Sequence, residues 1–203
     1  MSGQLETIFR EYADPFGFLS AQGRMYRFHP AALSTTATGA TSFATTTATF
    51  ILAIDADTDY AVIPAEARLF QAGTVAGGAI TYLMEVDNAD RYTSGGTALT
   101  ASNVRMGGPA LPSGIAMYDT NSSAIVSTDA AGARIDGALL GQDVSPAEGA
   151  VNAVVWSPVA GIDILVPTAS LGASWIINTS AATTGPTWLY SFKAAVVPLD
   201  WLT

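Results

Sequence analysis

Apolar and polar residues alternate with a period of two along most of the chain, which is typical of β-strands that bury one face. From Ile80 to Val86, for example, every second residue is apolar, while Thr81 and Glu85 fall between them. Clusters of Gly, Pro, Asn and Asp separate the alternating runs. Strands are therefore predicted at residues 24–29, 43–54, 60–63, 68–72, 79–86, 99–105, 114–118, 124–127, 133–140, 150–156, 161–166, 173–178 and 188–197. Short strands at this spacing, with no helices between them, predict an all-β antiparallel sandwich or barrel.

A helical period occurs at the start of the chain. The spacing i, i+3, i+4, i+7 defines one apolar stripe, formed by Leu5, Ile8, Phe9 and Tyr12. It predicts a short amphipathic helix or arm over residues 3–12, which Asp14-Pro15 ends. The chain is thus divided into an N-terminal helix or arm at 1–23 and a single β-sandwich domain at 24–203. The stripe can pack on this domain or dock on a neighbouring subunit, and the pattern leaves both open.

The 203 residues carry few charges. Only 12% are Asp, Glu, Lys or Arg, against about 25% in an average globular protein, and 17 acidic and 8 basic residues give a net charge of -9. Small neutral residues replace the missing charges, as in residues 31–49. Such a surface loses its water easily and suits burial against copies of itself or a partner lattice. An ordinary β domain from a proteome rich in Ala and Thr has the same composition, so that interpretation also stays open.

Charge and cysteine content exclude several classes of function. Seven Arg and one Lys are spread along the chain, whereas a nucleic-acid binder needs them clustered. Without cysteine there is no disulfide, iron–sulfur cluster or cysteine zinc site. No apolar run approaches the roughly 20 residues of a membrane span, and residues 1–6 lack the layout of a signal peptide. We therefore expect no nucleic-acid partner, no membrane partner and no export by that route.

The sequence contains no recognisable catalytic signature. There is no G-x-S-x-G elbow, no phosphate-binding glycine loop, and His29 is the single imidazole. We predict that the protein is not an enzyme and has no catalytic or cofactor-binding residues. A glycosidase or carboxylate-metal hydrolase on the same scaffold is the rival, and it would need two acidic side chains facing each other in a deep pocket.

One acidic motif is a weak calcium candidate. Asp55, Asp57 and Asp59 place carboxylates at alternate positions, as calcium loops do, with Glu66 at loop position twelve. Tyr60 stands where an EF-hand needs glycine, so an EF-hand is rejected. A calcium site of another kind and a solvated acidic turn both remain open.

A resemblance enters at residues 93–104, which read Thr-Ser-Gly-Gly-Thr-Ala-Leu-Thr-Ala-Ser-Asn-Val. This stretch is similar to Gly-Gly-Thr-Ala-Leu-Thr-Pro-x-Asn segments of phage structural proteins, with Ala101 in place of the proline. The whole layout, a cysteine-free, Ala/Thr/Gly-rich β chain with a short N-terminal arm, resembles the small auxiliary proteins of tailed bacteriophage capsids. The resemblance implies a jelly-roll decoration or cement protein, often a homotrimer, bound on the outer surface of the virion where major capsid subunits meet.

The expected function is therefore that of a non-enzymatic capsid decoration protein, with the major capsid protein and copies of itself as partners. The candidate contact residues are Leu5, Ile8, Phe9, Tyr12 and Trp201. The alternative is a receptor-binding or carbohydrate-binding β module of a phage head fibre or tail. That alternative needs aromatic side chains exposed beside polar ones in a groove, with candidates at Trp156, Trp175, Tyr92 and Tyr118.

Overall fold

The computed structural model describes residues 4–32, 34–73, 79–128, 132–142, 152–158, 161–168 and 170–202. Within them lie two helices, α1 (Gln4–Glu11) and α2 (Pro15–Ala21), and a 3-10 turn, Leu199–Leu202. The strands are β1 (Met25–His29), β2 (Ala37–Thr38), β3 (Phe50–Ile54), β4 (Tyr60–Gln71), β5 (Ala79–Asp87), β6 (Tyr92–Gly95), β7 (Thr97–Ala98), β8 (Thr100–Asn103), β9 (Ile115–Asp119), β10 (Ile125–Ser127), β11 (Ala133–Gln142), β12 (Ala153–Trp156), β13 (Ala173–Ser180) and β14 (Thr187–Pro198).

The strands form two large sheets, each of six strands. The first sheet has the order β12-β4-β14-β1-β8, with β2 also pairing with β14. The second has the order β11-β5-β13-β3-β9-β7, and β6 and β10 form a separate ribbon. Every pairing between these strands is antiparallel.

The topology is that of a jelly roll. Its eight strands are the two sets β12-β4-β14-β1 and β11-β5-β13-β3, in which the last two strands of the chain occupy inner positions. The segment between β5 and β11 is an insertion that adds β8 to the first sheet and β9 and β7 to the second. The predicted all-β, jelly-roll-like antiparallel sandwich is confirmed.

The main core fills the space between the two sheets. It is built from the inward residues of each strand, including the fully buried Trp175, Trp188, Phe50 and Phe192. Rings pack across the gap, with Phe50 4.9 Å and Trp175 5.9 Å from Phe192 between centroids. Each large side chain buried here contributes about 1.5–3 kcal/mol through the hydrophobic effect.

A second core lies on the outer face of the first sheet. There α1, α2 and the C-terminal turn cover Met25, Ala61, Ile63, Ala195 and Val197. The Asp14 carboxylate accepts a hydrogen bond from the Gly17 backbone N–H at 2.8 Å and caps α2, and Pro15 takes the first helical position. Asp14-Pro15 therefore ends the first helix, as predicted, and also starts a second one that the pattern did not predict.

Several predicted strands differ in the structure, and the one predicted at 161–166 is wrong, because the only β pairing there is an isolated bridge between Leu165 and Val62. The strand predicted at 43–54 is confined to β3, because the N–H and the hydroxyl of Thr47 both donate to the Ala44 carbonyl and fold the preceding residues into a turn. The strands predicted at 60–63 and 68–72 are one strand, β4. A register shift opposite Lys193 and Ala194 accommodates Pro64, so the pairing continues through it.

Candidate functional site

The helices cover only part of the outer face of the first sheet. The remainder, called the open face below, lies on β12, β4, β14, β1 and β8, and Pro30 and Thr35 of the loop after β1 border part of it. Its side chains are Val155, Glu66, Arg68, Phe70, Leu189, Ser191, Lys193, Arg27, His29 and Ser102.

One row of the open face is polar and crosses four strands. The register places Ser102 opposite Arg27, Arg27 opposite Lys193, and Lys193 opposite Glu66. Side chains directly opposite on neighbouring strands stand about 4.5–5.5 Å apart at Cβ, so Arg27 and Lys193 form a like-charge pair, which is unfavourable.

The single carboxylate of this row, that of Glu66, already forms two ion pairs within the protein. Glu66 accepts from Lys193 Nζ at 3.0 Å through Oε1 and from Arg68 Nη2 at 2.9 Å through Oε2. Burial raises the pKa of Glu66, but hydrogen bonds and charges from Lys193 and Arg68 outweigh it and hold that pKa below its usual value. Glu66 is therefore ionised at neutral pH and compensates two cations, leaving Arg27 uncompensated.

Arg27 is exposed and makes no hydrogen bond or ion pair with any described residue. The other arginines whose side chains the structure describes all have partners. These are the Trp201 ring for Arg24, Glu66 for Arg68, Asp87 for Arg91, and backbone carbonyls for Arg105 and Arg134. The guanidinium of Arg27 is thus free to bind an external acceptor.

A groove of about 610 Å³ runs over this row. His29 closes one wall: its Nδ1 lies 2.9 Å from the Pro30 carbonyl and its Nε2 lies 3.0 Å from Ser102 Oγ. Because a carbonyl only accepts, Nδ1 carries the proton, and in the neutral ring Nε2 accepts from the Ser102 hydroxyl. The groove holds three of the chain's eight Lys and Arg residues and one carboxylate, so it is locally positive on a protein of net charge -9.

The open face becomes apolar towards β12. Ala153, Phe70 and Leu189 lie in register across β12, β4 and β14, and Val155 lies beside Arg68 in the next row. Phe70 is 42% and Val155 65% exposed. The open face therefore combines an anion-attracting groove with an adjoining apolar strip.

A second exposed apolar area lies on the other sheet, at the edge formed by β11. Leu139 is 72% and Phe43 47% exposed, and both border a depression of about 300 Å³ with Leu83 and Ala138. Among the described residues, β11 pairs only with β5, so its ten-residue outer edge has no partner strand. We call this area the β11 edge.

The calcium candidates do not converge. Asp55, Asp57 and Asp59 are all exposed on the turn between β3 and β4, and no group of three acidic or histidine side chains in the described part of the chain is arranged to hold a metal ion. The charge of Asp55 instead affects Asp90. Burial is the main cause that raises the pKa of Asp90, and the Asp55 charge raises it further, whereas a hydrogen bond from the Tyr92 N–H lowers it.

The predicted partner-contact residues have mixed positions. Leu5 and Ile8 are 2% and 3% exposed in the second core, so the chain itself covers them. Phe9 and Trp201 are partly buried in the same cluster, with the Arg24 guanidinium 5.2 Å from the Trp201 ring. Tyr12 remains 46% exposed and packs on Phe18 at 4.3 Å.

None of the aromatic candidates for glycan binding is fully exposed. Trp175 is buried in the main core, and Trp156 packs 5.7 Å from it and is partly buried. Tyr92 and Tyr118 stack on each other at 3.9 Å over the second sheet. The groove residues were missed because they lie on four strands, β1, β4, β8 and β14, that are far apart in the sequence. The one local signal was that polar residues occur at alternate positions, as at 66 and 68.

The chain matches no protein-family model, no curated protein and no solved structure. Among the helices that the structure describes, none has the length and apolar composition needed to cross a membrane.

Proposed function

We propose that the protein is a non-enzymatic structural protein of a virion, which decorates the capsid and stabilises the shell by binding where major capsid subunits meet. Three features support this proposal. The fold is a jelly roll, an architecture used in viral capsid domains. The surface is poor in charge. Residues 93–104 are similar to segments of phage structural proteins.

The observation that carries the proposal is the β11 edge. A free edge strand presents unpaired N–H and C=O groups that another chain can pair with, and proteins usually protect such edges with charged side chains, Pro, β-bulges or a covering element. Arg134, Asp136 and two register shifts lie towards the ends of β11, but the stretch between the shifts, residues 137–140, has no charge and no Pro and places Leu139 in solvent beside Phe43. The β11 edge is therefore the surface that we assign to the capsid.

The energy of this attachment comes from desolvation rather than from charge. Burying apolar area contributes roughly 25 cal/mol per Å², from which the cost of association is subtracted. A homotrimer that engages three symmetry-related sites gains further through effective concentration. Weak single contacts can thus give a stable decoration.

The test is to add the purified protein to capsids assembled without it, and to measure binding and the temperature at which the shells open. We expect a trimer by light scattering that binds the shells and raises this temperature. Leu139→Ser and Phe43→Ser should weaken binding, whereas Met106→Ser, which changes an exposed apolar side chain in the loop after β8, should not. A protein that does not bind the shells, or that binds equally well after both changes on the β11 edge, would overturn the proposal.

A further inference from the structure

We propose that the groove on the open face binds an acidic saccharide, with its carboxylate held by Arg27 and Lys193. This goes beyond the capsid role, since the open face lies on the first sheet and the β11 edge on the second. The two depressions have no lining residue in common.

The first argument is the uncompensated charge. Arg27 and Lys193 stand directly opposite each other, and the carboxylate of the row is shared between Lys193 and Arg68. A ligand carboxylate beside Arg27 relieves the repulsion and gives the free guanidinium two parallel charge-assisted hydrogen bonds, the geometry that this planar group prefers.

The second argument is the set of neutral groups around the charges. Ser102 and Ser191 line the groove with hydroxyls, and the hydrogen bond to His29 fixes the Ser102 proton, so that its oxygen lone pairs can accept from a ligand hydroxyl. Leu189 and Pro30 add apolar surface. Hydroxyl partners, a small apolar wall and one anion site are the complement of a uronic acid.

The third argument is size and net charge. A volume of about 610 Å³ lies within the roughly 300–1,000 Å³ of ordinary ligand sites. A polyanion such as nucleic acid would meet the acidic remainder of the protein, whose net charge is -9 overall, and would be repelled. The groove therefore suits a single carboxylate on a compact ligand.

The experiment is ligand-observed NMR on the full chain with glucuronate, with glucose as the neutral control and with phosphate and sulfate as competitors. Glucuronate should bind and glucose should not. Arg27→Gln should weaken glucuronate binding by roughly tenfold or more, because the bidentate contact is lost, and Arg27→Lys should have an intermediate effect because it keeps the charge without the fork. Arg134→Gln, which removes an exposed arginine on the second sheet, should change nothing.

Each of the other outcomes would contradict the proposal. Absence of glucuronate binding, or binding that Arg27→Gln leaves intact, would overturn the site. Equal binding of phosphate, sulfate and glucuronate would show a general anion site and overturn the saccharide assignment. Because these measurements need no capsid, their failure is separate from failure of the decoration function.

Discussion

Tyr190 donates a hydrogen bond to Asp119 across the interior of the sandwich, and both residues are almost completely buried. Tyr190 lies on β14 of the first sheet and Asp119 at the end of β9 in the second. The other carboxylate oxygen accepts from the backbone N–H of Asn121 at 2.9 Å. The bond ties the inserted segment to the jelly-roll core at one end of the sandwich.

Removing the donor should destabilise the fold. Tyr190→Phe keeps the ring but leaves a buried carboxylate oxygen without its donor, which costs about 1–3 kcal/mol. We expect the free energy of unfolding in urea at pH 7 to fall by that amount. Tyr12→Phe is the matched control, since Tyr12 is exposed, and it should have little effect. Equal stability of the two variants would mean that the bond across the sandwich contributes nothing.

The same carboxyl group should make stability depend on pH. Burial raises the pKa of Asp119, although hydrogen bonds from Tyr190 and Asn121 oppose the rise. A raised pKa in the folded state means that Asp119 contributes most stability below its unfolded pKa, about 3.9, and loses this contribution as the pH rises through the folded pKa. The stability of Asp119→Asn relative to the parent protein should therefore increase as the pH rises across this range.

Urea denaturation at several pH values between 3 and 7 measures this difference. Asp57→Asn, at an exposed turn, serves as the control and should track the parent protein. If the stability of Asp119→Asn relative to the parent fell as the pH rose, the direction assigned to the Asp119 pKa would be wrong.

A second hydrogen-bonded link joins the sheets near the end of β13. Trp188 Nε1 donates to Thr179 Oγ1 at 3.0 Å, and the Thr179 N–H donates to Thr49 Oγ1 at 2.9 Å, with the two threonine hydroxyls 3.0 Å apart. Thr179→Val keeps the shape but leaves the buried indole N–H and the Thr49 hydroxyl without this partner. We expect a loss of about 1–3 kcal/mol in the free energy of unfolding. Thr100→Val, on the exposed edge strand β8, should change stability by less than about 0.5 kcal/mol.

The alternation of side chains was sufficient to predict most strands but not which strands pair. Residues 79–86 read as a strand because every second side chain enters the core, and β5 covers them. Asp119 and Tyr190 are 71 residues apart, and no local pattern connects them. The register that joins Arg27, Lys193 and Glu66 is likewise a property of the assembled sheet, so the groove could not be predicted.

Local spacing was also insufficient to predict what the acidic turn at 55–59 and the apolar stripe of α1 contact. The alternate carboxylates from Asp55 to Asp59 suggested a shared ligand, but the turn directs them into solvent rather than towards one point. The apolar stripe correctly predicted the first helix, but it did not show which surface the stripe packs against. That surface is the first sheet of the same chain, because the outer residues at 25, 63 and 195 are apolar.

This packing of the first helix leads to a direct test. Leu5→Ala removes a buried side chain from the second core and should lower the free energy of unfolding by about 2–5 kcal/mol. Gln4→Ala, on the exposed side of the same helix, should be nearly neutral. Both values come from urea denaturation of the isolated protein. A neutral Leu5→Ala would indicate that the helix is a free arm available to a partner.

Residues 97–103 link the two sheets, since β7 pairs in the second sheet and β8 in the first. Gly96, which precedes β7, has a φ of 70°, and a Cβ there would lie 2.7 Å from the Asp119 carbonyl oxygen. Gly96→Ala should therefore combine the cost of a left-handed backbone with a collision against another strand. Gly107→Ala has a similar φ of 73° with no atom within 4 Å, so it measures the backbone cost alone, about 1–2 kcal/mol. We expect urea denaturation to show a clearly larger loss in the free energy of unfolding for Gly96→Ala than for Gly107→Ala. Equal losses would mean that the nearby Asp119 carbonyl does not exclude a side chain at position 96.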